Sequence, residues 1–116
     1  MDWLGLADAA ERPAASLSYG QRKLLAFAMA LVPAPRILML DEPMAGVTPV
    51  LVERLAGHIR ELHAEGRTVV LIEHNLTVVM TLCQRLMVLD HGQKIAEGPP
   101  AEVRETPAVI EAYFGS

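Results

Sequence analysis

The chain has 116 residues, of which 52% are hydrophobic and 21% are charged. This composition is typical of a globular domain and excludes intrinsic disorder and low-complexity sequence. Ten lysines and arginines stand against fourteen aspartates and glutamates, so the formal net charge is −4, which argues against a main role in binding nucleic acid. The single cysteine, Cys83, cannot form an internal disulfide, and the cytosol is therefore the expected compartment.

The most apolar stretch runs from Leu24 to Leu40, but Pro33, Pro35 and Arg36 interrupt it after nine apolar residues. A membrane-spanning helix needs about 20 such residues. We therefore expect any membrane association to come through a partner protein.

Residues 1–16 carry scattered apolar positions that lead to Pro13, a pattern that predicts a short helix and a linker. Ser18 is then predicted to cap a helix that runs to about Val32, because its hydroxyl can accept from the amides of the first turn and Pro33 stops the helix. From Leu24 onward this helix is apolar on every face, which predicts burial on all sides.

Two short apolar runs, residues 37–40 and 68–72, have the pattern of buried parallel strands. Between them lies a segment with apolar residues at helical spacing, and Gly66 follows as a plausible end of that helix. The apolar positions of the segment are Val52, Leu55, Ile59 and Leu62. The order strand, helix, strand predicts a right-handed parallel crossover.

The last third of the chain has the pattern of a helix, a hairpin and two further short helices. The helix is predicted over residues 76–83 and the first hairpin strand over 85–89. His91-Gly92 is a turn pair that leads into residues 94–96, and Pro100 and Pro107 are placed to open the two short helices. The predicted fold class is α/β, a mostly parallel sheet with flanking helices and a C-terminal hairpin.

Charged side chains follow both predicted parallel strands, where open α/β sheets bind their ligands. Asp41 and Glu42 leave the first strand on opposite sides, so one could hold Mg²⁺ through water while the other acts as a general base, as phosphoryl transfer requires. His74 follows the second strand and could donate to a phosphate. Taken singly, the carboxylates also fit a solvated strand end, and His74 an ordinary surface or core histidine.

The start of the first long helix offers a possible anion site. Ser18 and Gly20-Gln21 would present a hydroxyl, free amides and the positive end of the helix dipole, although an ordinary N-cap has the same residues. His58 and His63 lie five residues apart on a helix, which is not a metal-ligand spacing, and we expect both to be solvated.

Three motifs occur in order along the chain: Leu17-Ser18-Tyr19-Gly20-Gln21, then ILMLDEP at residues 37–43, then Ile72-Glu73-His74. Together they resemble the signature motif, the Walker B strand with its catalytic glutamate, and the switch histidine of the ATPase subunits of ABC transporters. Residues 44–49, MAGVTP, stand where that family has its D-loop. The resemblance extends from about residue 3 to the end of the chain, and the ordered set disfavours a generic α/β domain with coincidental motifs.

The resemblance implies a role for each matching residue. Asp41 would hold Mg²⁺ through water, Glu42 would polarise the attacking water, and His74 would contact the γ-phosphate of ATP. In this family two ATPase subunits sandwich two ATP molecules head to tail. The residues that would face the ATP of the opposite subunit are Ser18, Gly20 and Gln21, and Thr48 would be the cofactor-binding residue of the D-loop.

The resemblance also implies transmembrane permease subunits as partners, no nucleic acid, and a cytoplasmic location at the inner face of the membrane. Tyr19, residues 72–75 and the tail are most similar to importers of branched-chain amino acids, although an ATPase of lipopolysaccharide export or another transport class shares much of this pattern. Two positions depart from the family. Met29 replaces a usual arginine, which predicts a missing ion pair, and Thr48 replaces a usual Asp or Asn, which affects communication between the two ATP sites.

A P-loop needs Gly-x-x-x-x-Gly-Lys-[Ser/Thr], and no glycine of this chain is followed by lysine. We therefore interpret the chain as the C-terminal part of an ABC ATPase, with residues 1–16 as the end of the helical subdomain, 17–98 as the core and 99–116 as C-terminal helices. Alone it is expected to be inactive and to expose apolar strand edges and faces. A non-catalytic module that supplies the signature motif in trans to a full-length ATPase is the alternative.

Overall fold

The computed structural model describes residues 2–114, which form two compact units. The first unit ends at Glu73 and the second begins at His74. No helix among the described residues is both long and apolar enough to cross a bilayer.

The first unit opens with three short 3₁₀ turns, at Asp2–Leu4, Ala7–Ala9 and Ala14–Ser16. The prediction of a single short helix in this segment is therefore wrong. Gly5 adopts a positive φ of 73°, which ends the first turn, and Pro13 immediately precedes the third. These two residues divide the segment into pieces too short for an α-helix.

Helix α1, Tyr19–Leu31, begins at the predicted N-cap. The Ser18 hydroxyl accepts from the backbone N–H of Gln21 at 3.1 Å, and the Gln21 side chain accepts from the Ser18 N–H at 2.9 Å. This reciprocal pair is a capping box. The expectation that α1 is buried on all sides is wrong, because only Leu24 and Phe27 are buried and Met29 is 65% exposed. The helix lies at the surface and packs through one stripe.

Strands β1 (Ile37–Asp41) and β2 (Thr68–Ile72) pair in parallel, and helix α2 (Pro49–Ala64) connects them. The parallel crossover is thus confirmed. Helix α2 buries the stripe of Leu51, Leu55, Ala56, Ile59 and Leu62. The predicted burial of both strand faces is wrong, because Leu38 and Leu40 are buried whereas the alternate residues of β1 are exposed. One face of this two-stranded sheet has no layer over it among the described residues.

The second unit follows the sequence prediction closely. Its helices are α3 (Leu76–Leu82), α4 (Pro100–Arg104) and α5 (Pro107–Val109), the last continuing as a π-helical turn at Ile110–Phe114. Strands β3 (Leu86–Asp90) and β4 (Gln93–Gly98) form an antiparallel hairpin. Positive φ values at both His91 and Gly92 make the two-residue connection that matches the strand twist. Val103 and Val109 are almost completely buried.

Candidate functional site

A cleft of about 220 Å³ lies where the N-terminal ends of α1 and α2 meet. Its lining includes four of the residues that the sequence assigns to nucleotide contact, which are Ser18, Gly20, Gln21 and Thr48. These residues come from two helix starts separated by about thirty positions in the sequence, so the fold brings the signature motif and the end of the D-loop together. The volume is below that of a cavity for a drug-sized ligand, which suits contact with one end of a larger ligand.

Ser18 faces this cleft at the positive end of α1. Its hydroxyl oxygen accepts the Gln21 amide, and the hydroxyl proton remains able to donate to an anion. The amides of Tyr19 and Gly20 belong to the first helical turn and have no carbonyl partner within the helix. Hydroxyl, amides and helix dipole are the groups that bind phosphate at helix starts.

Gly20 allows the two helix starts to approach each other. A Cβ atom at this position would lie 2.8 Å from Cδ2 of Leu51, a distance that real side chains do not tolerate. Since Leu51 is buried in α2, its side chain would have to shift within the core to admit any larger residue at position 20. The glycine therefore has a packing function in addition to the nucleotide contact implied by the sequence.

Thr48 is the N-cap of α2, and its hydroxyl accepts from the N–H of Leu51 at 3.3 Å. Threonine, aspartate and asparagine are all favourable N-cap residues because each offers a side-chain oxygen to the first turn. Thr48 therefore replaces the family's usual Asp or Asn with another residue that can cap the helix. The other departure, Met29, stands exposed on α1.

Arg54 also lines the cleft, although no motif in the sequence includes it. Its guanidinium donates to the backbone carbonyl of Leu4 at 2.8 Å and lies directly over Gly5, where a side chain would collide with it. Arg54 thereby fixes the N-terminal segment to α2. Helical periodicity could have found it, because Arg54 follows Leu51 by three positions and so lies on the same face of the helix.

Tyr19 connects the signature helix to the D-loop. Its hydroxyl donates to the backbone carbonyl of Ala45 at 2.9 Å, across 26 residues of sequence. In the sequence Tyr19 only supports the similarity to importers of branched-chain amino acids, and its spacing does not indicate the hydrogen bond to Ala45. The contact depends on how α1 and the loop after β1 meet in three dimensions.

Asp41 and Glu42 lie at the carboxyl end of β1, and both are exposed. Asp41 is the last strand residue and pairs in register with Ile72. Glu42 then turns the chain: its φ is +47°, and its N–H donates to the Ile72 carbonyl at 2.7 Å. A non-glycine residue in this region costs roughly 1–3 kcal/mol and is held there by its surroundings, a feature that is concentrated at functional sites.

The carboxylates at this strand end have a donor set that suits Mg²⁺ with phosphate. No group of three or more His, Cys, Asp or Glu side chains within residues 2–114 forms a complete metal cage. Mg²⁺ commonly binds through one or two carboxylates and keeps water and phosphate oxygens as its other ligands. Asp41, exposed at the edge of the sheet, fits that incomplete protein contribution.

His74 is the first residue of the second unit, and Asp41 and Glu42 belong to the first. The His74 side chain is exposed and precedes Asn75, whose side chain caps α3 by accepting from the N–H of Val78. The side chain of Glu73, which ends the first unit, accepts from the N–H of Met44 at 3.3 Å and so ties the end of β2 to the loop after β1.

The expectation that His58 is solvated is wrong. Its ring packs against Trp3 at 4.2 Å and faces Phe27 at 6.4 Å, and its Nδ1 is buried without a hydrogen-bond partner. Burial lowers the pKa of His58 below its ordinary value of 6.5, with Glu61 acting in the opposite direction and Arg54 in the same one. The sequence signal was present, because His58 lies three positions after the buried Leu55 and borders the apolar stripe.

Comparison with known proteins agrees with this fold. Residues 1–80, more than half of the chain, match the family model described as "AAA domain, putative AbiEii toxin, Type IV TA system". Residues 93–116 match the model described as "Branched-chain amino acid ATP-binding cassette transporter".

The chain is also similar to individual ATP-binding proteins of transporters. The chain is 40% identical over 116 residues to the high-affinity branched-chain amino acid transport ATP-binding protein BraF of Pseudomonas aeruginosa, covering 99% of this chain and 46% of the relative. The probable branched-chain amino acid transport ATP-binding protein LivG of Methanocaldococcus jannaschii is also 40% identical, with the same two coverages. The crystal structure of an ATP-binding cassette of an ABC transporter in its ADP conformation superposes with a TM-score of 0.86 at 39% identity, covering 99% of this chain and 47% of that one.

The chain therefore belongs to the AAA-domain family whose model matches residues 1–80, and it represents the C-terminal half of the ATPase domain of an ABC transporter. It spans slightly less than half the length of the relatives that it matches.

Proposed function

We propose that the chain is the signature-bearing and Walker B-bearing half of an ATP-hydrolysing subunit of an ABC importer for branched-chain amino acids. The observation that carries this proposal is the cleft, where Ser18, Gly20, Gln21 and Thr48 converge as a nucleotide contact requires. The substrate class rests on the names of the similar proteins, which are branched-chain amino acid transport ATP-binding proteins, and on the match of residues 93–116.

In this proposal each polar residue has a distinct task at a bound ATP. Asp41 would hold Mg²⁺ through water, and the ion would supply charge neutralisation for phosphoryl transfer. Glu42 would accept a hydrogen bond from the attacking water and so orient it, and His74 would donate to the γ-phosphate. Ser18, Gly20 and Gln21 would contact the ATP of the opposite subunit, and Thr48 is the nucleotide-contact residue of the D-loop.

The proposed partners follow from the division of the site. As the resemblance to ABC ATPases implies, a second ATPase subunit binds head to tail, and its nucleotide would meet the cleft. Permease subunits hold the assembly at the inner face of the membrane. Within the subunit, residues 1–16 correspond to the end of the helical subdomain, 17–98 to the core and 99–116 to the C-terminal helices.

Hydrolysis in this proposal requires a P-loop from a further polypeptide segment. We expect labelled Mg-ATP to bind the isolated chain no more tightly than millimolar, and micromolar binding would contradict the requirement. We also expect the chain to copurify with a co-expressed, tagged P-loop half of the P. aeruginosa relative, and the assembly to bind Mg-ATP.

Copurification with the full-length relative alone would instead favour a module that supplies the signature motif in trans. Copurification with neither would contradict both versions of the proposal.

A further inference from the structure

The side chain of Tyr19 connects the start of the signature helix to the loop 42–48 that follows β1. The Tyr19 hydroxyl donates to the Ala45 carbonyl at 2.9 Å, and both residues belong to the first unit. Tyr19 directly follows Ser18, whose hydroxyl faces the cleft, and Ala45 comes three residues after Glu42. The bond therefore spans the two functional ends of the site.

The loop is shaped around this hydroxyl. Gly46 adopts φ +73°, and a Cβ atom there would lie 3.3 Å from the Tyr19 oxygen, closer than most side chains approach. On the other side, the ammonium of Lys23 lies 5.7 Å from the centre of the tyrosine ring, within the range of a cation–π contact. The ring is thus held from α1 while its hydroxyl reaches the loop.

The start of the loop is fixed to β2 by the bond of 2.7 Å from the Glu42 N–H to the Ile72 carbonyl, whereas longer hydrogen bonds hold the middle of the loop. The N–H of Ala45 reaches the Glu42 carbonyl at 3.2 Å, that of Val47 reaches the Met44 carbonyl at 3.4 Å, and that of Met44 reaches Glu73 at 3.3 Å. Bonds of this length are weaker than those near 2.9 Å. Since Glu42 also has an unfavourable backbone conformation, the loop depends on contacts from outside to keep that conformation.

From this geometry we infer that Tyr19 is a positioning residue that couples the phosphate-facing Ser18 to the water-orienting Glu42. A shift of the α1 start on nucleotide contact moves the Ala45 carbonyl, and with it the turn whose first carbonyl belongs to Glu42. The effect of Tyr19 on ATP hydrolysis rests on the proposed function, whereas its effect on the conformation of the loop does not.

The chain offers a matched pair of tyrosines for the test. Tyr113 also donates its hydroxyl to a backbone carbonyl, that of Leu89 at 2.5 Å, but it lies in the second unit. In the full 116-residue chain, Tyr19→Phe is expected to speed hydrogen exchange of the Met44, Ala45 and Val47 amides about fivefold, the change expected for loss of one ordinary hydrogen bond. Tyr113→Phe is expected to leave those amides unchanged. Unchanged exchange in Tyr19→Phe, or an equal rise in both variants, would overturn the coupling.

A second readout separates positioning from mere stability. In the assembly of the chain with the P-loop half of the relative, Tyr19→Phe is expected to lower kcat about fivefold at unchanged KM, because it disturbs the water-orienting residue and not nucleotide affinity. Unchanged kcat, or a parallel rise in KM, would overturn the mechanistic role. If the unsubstituted assembly hydrolyses no ATP, the proposed function fails, and the exchange measurement still decides the coupling.

Discussion

The cleft between α1 and α2 and the open face of the β1–β2 sheet belong to the same unit, but they differ in how far this chain completes them. In the cleft, Ser18 and Thr48 each cap a helix, and Gly20 lets the two helices meet. On the sheet, four apolar side chains of alternate positions remain 42–72% exposed. They are Ile37, Met39, Val70 and Ile72.

The difference shows which parts of the site are locally encoded. Helix caps and a close glycine contact need only neighbouring residues, so the signature region takes its shape from this chain alone. A parallel sheet is normally covered on both faces, and covering the second face requires more polypeptide than the described residues contain. A chain that spans under half the length of its relatives is expected to show this contrast.

The largest difference in unfolding free energy is expected between two variants of β1 that each place a glutamate on a different face of the strand. Leu40 is 9% exposed and Met39 is 72% exposed. Leu40→Glu buries a carboxylate and is expected to cost about 3 kcal/mol or more of unfolding free energy, whereas Met39→Glu stays within about 0.5 kcal/mol. Urea denaturation at neutral pH measures both, and sedimentation should show less self-association for Met39→Glu. Equal destabilisation by the two variants would show that the outer face is covered in solution.

A second contrast uses two helical glycines. Gly20→Ala forces a methyl group against Leu51, whereas a methyl group at Gly57 of α2 meets nothing within 4 Å. Overpacking is expected to cost Gly20→Ala about 1–3 kcal/mol, and the better helix propensity of alanine is expected to stabilise Gly57→Ala by about 0.5–1 kcal/mol. Thermal melts of the two variants measure the difference. If Gly20→Ala melts at or above the parent temperature, the close approach of the helices is wrong.

The capping function of Thr48 predicts a smaller effect. Thr48→Ala removes the acceptor for the Leu51 amide and is expected to cost about 1 kcal/mol of unfolding free energy. Thr48→Asp keeps an acceptor at the helix start and is expected to match the parent. Denaturation curves of both variants test this, and equal losses would refute the capping explanation of the family difference.

The smallest expected effect is the pH dependence that arises from His58. Burial lowers its pKa below 6.5, so the unfolded chain binds a proton first, and stability falls as the pH drops from 6.5 towards the lowered pKa. His58→Gln is expected to flatten the stability profile in that interval. His63→Gln, on the exposed face of the same helix, is the control and should leave the profile unchanged. A profile with the same slope in His58→Gln would contradict a half-buried histidine whose pKa is lowered by burial.

Much of the fold could be predicted from local signals in the sequence. The cap at Ser18, the stripe along α2 and the turn at His91-Gly92 each act within a few residues, and the structure confirms all three. The predictions that are wrong concern the burial of α1 on all sides and of β1 on both faces. Both elements are apolar on faces that the described residues leave exposed. An apolar pattern does not say whether the covering layer lies within the same chain.

The candidate site shows the same limit. The resemblance assigned Ser18, Gly20, Gln21 and Thr48 to nucleotide contact without indicating that they lie together, and the structure places all four in the lining of one cleft. The contact of Tyr19 with Ala45 and the clasp of Arg54 on Leu4 each join residues far apart in sequence, so no local pattern encodes them. The roles of Asp41, Glu42 and His74 in hydrolysis stay predictions.

Steady-state Mg-ATP hydrolysis by the chain assembled with the P-loop half of the P. aeruginosa relative tests most directly whether the chain is one half of an ATPase site. We expect hydrolysis by the assembly and none by either part alone. Glu42→Gln should lower kcat by about 100-fold or more, as expected for loss of a general base, while Glu53→Gln on exposed α2 should leave it unchanged. Hydrolysis by the isolated chain, or full activity of the Glu42→Gln assembly, would contradict that expectation.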